Sequence, residues 1–409
     1  MRWIGWSVAM VVAVSAQPLD LRTTLRLAMQ RHPLLQSTRY AVPLARADSL
    51  SASLWLNPTV SLQLAQNPSQ LGTTGGLGPA NGQWQLGILQ TIDLAGQRRN
   101  RLQYSTQSLA VAAESYTVSV QQVLAEAALR WIDLWNAERA LTLALQALSN
   151  SDSLIEINRV RLRSQAIVPA DVWRAEILSS QYRIQCLQLE QQVRAARRWL
   201  QYALATQDSL WIGSVEPDLP IEELPLQTWI ERAYARRADY RLADATVAAA
   251  ESNIGLQDAL GVPNPDIGVA AVQQQGVPFV GIGVDWALPI VNRNQGERQK
   301  ARVALEQARA DRDRLRRQIE TEVTVAYETY RTARQALDQA RTVLEKASDV
   351  LNTVRLAYLK GATPIVDLLE AQRSWYETQR SYYDALADYW RAVVQLLAAS
   401  GQLSHIVEE

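Results

Sequence analysis

Two stretches of this chain, from about Ala95 to Ser164 and from Gln295 to Lys360, run without a proline and are built largely from Ala, Gln, Leu, Arg and Glu. At 1.5 Å per residue each would form a helix on the order of 100 Å long. Helices of that length cannot close a globular core on their own, so they demand coiled-coil partners. A partner follows each one: helical patterns return over Ala170–Ala205 and Ile365–Ala399 after short turns.

The whole order of elements occurs twice. Ala28 and Arg31 match Ala233 and Arg236, Asn57-Pro58 matches Asn264-Pro265, and Asp171, Ala175 and Glu176 match Asp367, Ala371 and Gln372. The expected organisation is a leader over 1–16, a first repeat over 17–207, a Pro-rich linker over 208–227, a second repeat over 228–400 and a tail over 401–409. In the first repeat a helix over Leu19–Arg31 should break at His32-Pro33. It should resume over Leu34–Leu56 with a kink at Pro43.

Between helices the period changes from 3.6 to 2. Strands are predicted near 59–66, 83–92, 266–273 and 279–288. Val60, Leu62 and Leu64 alternate with polar neighbours, as do Trp84, Leu86 and Ile88. Val280, Ile282, Val284 and Trp286 alternate with Gly281, Gly283, Asp285 and Ala287. One apolar and one polar face suits a sheet lying on a soluble core. It equally suits a membrane barrel, apolar toward lipid and polar toward a water-filled bore. Four strands cannot close a barrel, and open edges are not tolerated in hydrocarbon. If these hairpins lie in a membrane, several copies must share one barrel, and three copies supply twelve strands.

Composition narrows the function. Among 409 residues, 41 Lys and Arg balance 41 Asp and Glu, which lacks the basic surplus a nucleic-acid binder needs. The single cysteine, Cys186, and two histidines, His32 and His405, leave little for a metal site or His-based catalysis, and no cofactor is expected. Thirteen Trp and 14 Tyr against one Phe favour residues suited to a wet–apolar boundary. Arg2, the apolar run Trp3–Val14 and Val14-Ser15-Ala16 form an export signal.

The order of elements resembles the TolC family of outer-membrane efflux channels over nearly all of the mature chain. The carriers are Leu25-x-x-Ala28-x-x-Arg31-His32-Pro33, Asn57-Pro58, Ile92-Asp93-Leu94-Ala95-Gly96-Gln97-Arg98-Arg99, and the run from Tyr358 through Gly361, Pro364, Asp367 and Glu370 to Gln372. The resemblance implies a mainly α fold with a β-barrel part. Three protomers would form one 12-stranded outer-membrane barrel and a long periplasmic helical tunnel. It implies an exit channel of a tripartite efflux or type I secretion-like system, without chemistry of its own. Its partners would be a homotrimer, a periplasmic adaptor, an inner-membrane pump of resistance-nodulation-division or ABC type, and outer-membrane lipid.

The resemblance also assigns residues. The tips joining long and return helices would meet the adaptor through Gln165, Ala166 and Ile167, and through Gly361, Ala362 and Pro364. Gln165 stands where the family pattern has glycine, so the first tip departs from it. Asp367 and Glu370 match an acidic constriction, with Tyr358 and Thr363 at the gate; Thr363 replaces an arginine associated with closure. The spacing Asp367-x-x-Glu370 also reads as a helix-capping box. Val60, Leu62, Leu64, Trp84, Leu86, Ile88, Val280, Ile282, Val284 and Trp286 would face lipid. The rival reading is a soluble, exported coiled-coil scaffold whose hairpins pack on its own helices. A periplasmic enzyme lacks any nucleophile motif beside either histidine.

Overall fold

The computed structural model describes residues 19–66, 82–208, 210–212, 216–217, 219, 221–274, 277–404 and 406. The expected leader at 1–16 and His405 lie outside them. The first half comprises α1 (Leu21–Arg31), α2 (Pro33–Thr38), α3 (Ala41–Ser53), β1 (Thr59–Gln66), β2 (Gly82–Thr91), α4 (Gln97–Arg163) and α5 (Pro169–Ala203). The second comprises α6 (Leu226–Arg236), α7 (Ala238–Leu260), β3 (Asp266–Gln274), β4 (Val277–Asp285), α8 (Gln295–Leu359) and α9 (Ile365–Ala399). No helix among the described residues is long and apolar enough to cross a membrane.

The backbone shows the duplication more plainly than the side chains do. Among the described residues six have positive φ: Gly96, Gln165 and Ala205 in the first half, and Asn294, Gly361 and Gly401 in the second. They fall in the same three places of each half. One precedes the long helix, one ends it, and one ends the return helix. The breaks match too: the His32 amide donates to the Ala28 carbonyl, and the Arg237 amide to the Ala233 carbonyl, each at 2.9 Å.

Proline placement corrects one expectation. Pro43 does not kink a helix; it sits in the first turn of α3, where its missing N–H has no acceptor to lose. The chain turns at 39–40 instead.

The chain divides into two compact units. One holds residues up to Ser37, Ser119–Arg237 and Ile319 onward; the other holds Thr38–Val118 and Ala238–Gln318. The core of the first contains Trp131 and Trp135 from α4, Leu200 from α5, Trp229 from α6, Ile319 from α8, and Val393, Leu396 and Leu397 from α9, all essentially inaccessible. The indole of Trp131 donates to the Leu19 carbonyl (2.9 Å), which satisfies that side chain's one polar atom. Residues past α9 join this core: Leu403 and Ile406 are buried.

His32 belongs to this core. Its Nδ1 accepts from the Leu34 amide at 3.2 Å, and Nε2 is buried without a partner. Burial holds its pKa below the ordinary 6.5, against an opposing pull from Glu126. Folding therefore favours the neutral ring. Its contribution is complete above pH 6.5 and is lost as pH falls below that value. Between pH 7.5 and pH 5.5 the melting temperature should drop less in His32→Asn than in the wild type. Parallel pH profiles would reject the assignment.

In the second unit the four strands form one antiparallel sheet in the order β1-β2-β3-β4. Its junction with the helices explains two of the sequence motifs. Asp93 caps α4 by accepting from the Gln97 amide (2.7 Å) and the Arg98 amide (2.8 Å), after Gly96 turns the chain at φ 67°. Asn264 accepts from the Leu94 amide (3.4 Å) and donates to the Gln97 side chain (2.9 Å). Along α7, Glu251 meets Arg309 of α8 at 2.9 Å, while Arg241 reaches back to Glu114 of α4 at 3.0 Å.

Candidate functional site

The strand register aligns the apolar side chains that the alternation singled out, with the exception of Trp286. Val60 pairs with Ile88, Leu62 with Leu86 and Leu64 with Trp84. Ile88 pairs with Val269 and Leu86 with Ala271; these pair in turn with Ile282 and Val280, and Ile267 pairs with Val284. The result is one continuous face without a formal charge. That face is exposed: Val60, Leu62 and Leu64 lie near 65% exposure and Ile282 at 80%. The sheet therefore does not rest its apolar face on a core, as the scaffold reading required.

Two tryptophans depart from their expected settings. Trp84 is half-buried and donates its indole proton to the Gln273 side chain. Trp286 lies one residue past β4, which ends at Asp285 where residues to 288 were expected to continue. Its indole donates to the Pro263 carbonyl at 2.9 Å, so the chain has already left the ladder. Likewise β2 stops at Thr91: the Ile92 amide still donates to the Pro265 carbonyl in register (2.9 Å), but Pro265 has no N–H with which to continue the ladder. Trp84 and Trp286 flank the apolar band at opposite ends.

The other face is mixed: Ser61, Gln63 and Gln85 share it with glycines and alanines, and Leu89, Val272, Val277 and Phe279 also lie on it. Ser61, Gly87, Ala270 and Gly281 stand in one row across all four strands. A Cβ on Gly268 would overlap the Ile88 carbonyl oxygen, so only glycine admits the β2–β3 approach there. Among the described residues, the only charges on the ladder are Asp266 and Asp285. They face each other at the helix end, with the Thr91 hydroxyl donating to Asp266.

The two helical tips share one backbone design. At the first, the Ala166 amide donates to the Arg161 carbonyl and Gln165 to Leu162, both at 2.9 Å. At the second, Ala362 donates to Ala357 (2.9 Å) and Gly361 to Tyr358 (3.0 Å). Both are Schellman turns, with Gln165 at φ 58° and Gly361 at φ 73°. Gln165 thus makes the turn that glycine makes elsewhere, at a cost of about 1 kcal/mol for its side chain. Gln165→Gly should raise the unfolding free energy by about that amount, and Gly361→Gln should lower it similarly, in denaturant titrations. Gln165, Ala166, Gly361, Ala362 and Pro364 are exposed, and Ile167 is partly so.

Asp367 and Glu370 are exposed on α9, three residues apart on one face. They form no capping box: α9 starts after Pro364, which makes no side-chain cap, and Asp367 is the third helical residue. The matching acid in the first half is neutralised locally, Asp171 binding Arg174 at 3.1 Å. The half-buried Thr363 has a hydroxyl without a partner. Tyr358, in contrast, is 4% exposed and ties the two helix pairs together. Its hydroxyl donates to Asn158 Oδ1 of α4 at 2.6 Å, and the Arg161 guanidinium lies 4.6 Å from the centre of its ring. Around it, Leu154 and Ile155 of α4, Ala175 of α5, and Ile365 and Leu368 of α9 form one buried cluster. Asn158 and Arg161 carry no motif. The signal available was that a buried tyrosine hydroxyl needs a partner.

Comparison with known proteins follows the same division into halves. The family model described as outer membrane efflux protein matches residues 24–206 and 229–402. Protein CyaE of Bordetella pertussis is 23% identical over 401 residues, spanning 94% of this chain and 84% of that protein. The Campylobacter jejuni CmeC outer membrane channel superposes with a TM-score of 0.77 at 16% identity, over 93% of this chain and 85% of that one. The open state of the Neisseria gonorrhoeae MtrE outer membrane channel gives 0.75 at 18% identity, over 94% and 89%. At these identities the superpositions speak for the fold, while the family match covers both repeats in order. The chain belongs to the outer membrane efflux protein family and is an outer-membrane efflux channel.

Proposed function

We propose that three copies close one twelve-stranded barrel and continue it as a helical tunnel, through which an inner-membrane pump delivers cargo by way of a periplasmic adaptor. The observation that carries this reading is the open four-stranded sheet: a continuous exposed apolar face, a more mixed opposite face crossed by a row of small residues and, among the described residues, no partner for the outer edges of β1 and β4. Unpaired edges are not tolerated in hydrocarbon. β4 runs antiparallel to β1, so the edge strand of one copy continues the ladder of the next and the ring can close head to tail. The count of three comes from the family resemblance. The exposed stripe Trp173, Ile177, Ile184 and Leu187 along α5, at spacings of four, seven and three residues, supports contact with further helices. In this reading Val60, Leu62, Leu64, Leu86, Ile88, Val280, Ile282 and Val284 meet lipid, with Trp84 and Trp286 at its two interfaces.

Asp367 and Glu370 then form two stacked carboxylate rings at the tunnel entrance, held shut by Tyr358 through Asn158 and Arg161. Rings of fixed negative charge select cations. The exposed tip residues Gln165, Ala166, Ile167, Gly361, Ala362 and Pro364 serve as the adaptor's contact. In planar bilayers, Asp367→Ala with Glu370→Ala should bring the cation-to-anion permeability ratio close to one and weaken block by multivalent cations at least tenfold. Unchanged conductance, selectivity and block would remove the gate assignment. A native mass of one chain in mild detergent would remove the trimer.

A further inference from the structure

A cavity of about 450 Å³ lies where the long helices meet above the second tip, walled by α4, α5, α8 and α9. It separates two buried clusters: Ala147, Tyr182 and Tyr376 line it from one, and Leu154, Tyr358 and Leu368 from the other. Well-packed helix pairs do not leave space of this size between clusters, and the volume falls in the range of small-molecule sites.

Its lining has a definite chemistry. Tyr182, Tyr376 and Trp375 supply aromatic surface, and the Tyr182 and Tyr376 rings meet edge to face at 5.1 Å. Tyr376 is 4% exposed, and its hydroxyl is buried with no hydrogen-bond partner, an arrangement that leaves a donor unused. Burial pushes both tyrosines up, Tyr182 to about 12, so both hydroxyls keep their protons at neutral pH. Asn150, Asn352 and Gln372 add amides. Arg355 is the one charged residue in the lining, with no Asp or Glu to balance it.

We propose that this cavity is a binding site for a small aromatic monoanion, whose ring lies against Tyr182, Trp375 and Tyr376 and whose carboxylate accepts from Arg355 and the Tyr376 hydroxyl. The lining comes from one chain and excludes Asp367 and Glu370, although Tyr358 is shared with the proposed gate. The probe is 2-naphthoate, titrated calorimetrically into the detergent-solubilised full-length protein with empty micelles as reference. The expected result is one saturable site per chain with a Kd below about 1 mM. Arg355→Gln should weaken binding about tenfold and Tyr376→Phe about fivefold. Ser348→Trp, on the cavity wall, should abolish it. The cation 2-naphthylmethylammonium should not bind. Absence of saturable binding, equal binding of the cation, or unchanged affinity in both Arg355→Gln and Tyr376→Phe would overturn the proposal. Those two variants decide it even if Ser348→Trp does not fold.

Discussion

Ile282→Arg should leave the protein unable to enter the outer membrane, whereas Gly281→Arg, one residue earlier on the same strand, should still insert. Ile282 lies near the middle of β4, 80% exposed, on the continuous apolar face and opposite Val269. An arginine facing lipid at the bilayer midplane costs about 2–4 kcal/mol per copy, and every copy in a ring carries it. Gly281 points to the other face, where a Cβ meets nothing within 4 Å. Its arginine would extend into water. The comparison holds strand, size and charge constant and changes only the face. Membrane fractionation with urea extraction reads the difference. Equal insertion of both variants would mean that the two faces of the sheet have been assigned wrongly.

Gly401→Val should cost roughly 3–4 kcal/mol, enough to deplete folded protein. Gly401 ends α9 at φ 70°, a region a β-branched residue enters only with strain. A Cβ there would also press on backbone: 2.8 Å from the Arg236 carbonyl carbon and 2.9 Å from its oxygen. That backbone cannot yield easily, because Arg237 is held by Glu322 at 2.6 Å and by the Ala399 carbonyl at 3.3 Å. The counterpart Ala205, at φ 46°, shows that a lone methyl can be carried at the equivalent place of the first half. Thermal melts of Gly401→Val beside Ala205→Val separate the two contributions, since only the first combines the dihedral with the clash. Losses of equal size in both would show that the Arg236 contact is unimportant.

The long helices, their returns and the four strands were legible because each is governed by a period that persists over many residues. Helix α9 begins and ends where the pattern did. Local decisions were less legible. Pro43 reads the same whether it kinks a helix or opens one; what decides is the turn at 39–40 before it. β4 stops short because the Trp286 indole binds the Pro263 carbonyl, a contact set by the loop leading into β3. The capping box failed for a similar reason: Pro364 already ends the turn, so Asp367 falls inside the helix and its carboxylate stays in solvent. At the tips, Gln165 hid a turn that backbone hydrogen bonds enforce regardless of side chain. Asn158 and Arg161 were invisible because their partner, Tyr358, is 200 residues away from Asn158 in the chain. Long-range pairs between helices leave no mark on either local pattern.

The twofold recurrence of one backbone path has a consequence for stoichiometry. Each half has its own hairpin, long helix and return helix, yet only the second carries an acid pair three residues apart beyond its tip, since Asp171 is followed by Arg174. Were the halves separate polypeptides, like could sit beside like and the acids would fall irregularly. Joining them through 208–227 fixes their numbers as equal, so in a head-to-tail ring Asp367 and Glu370 would recur at every other helix pair.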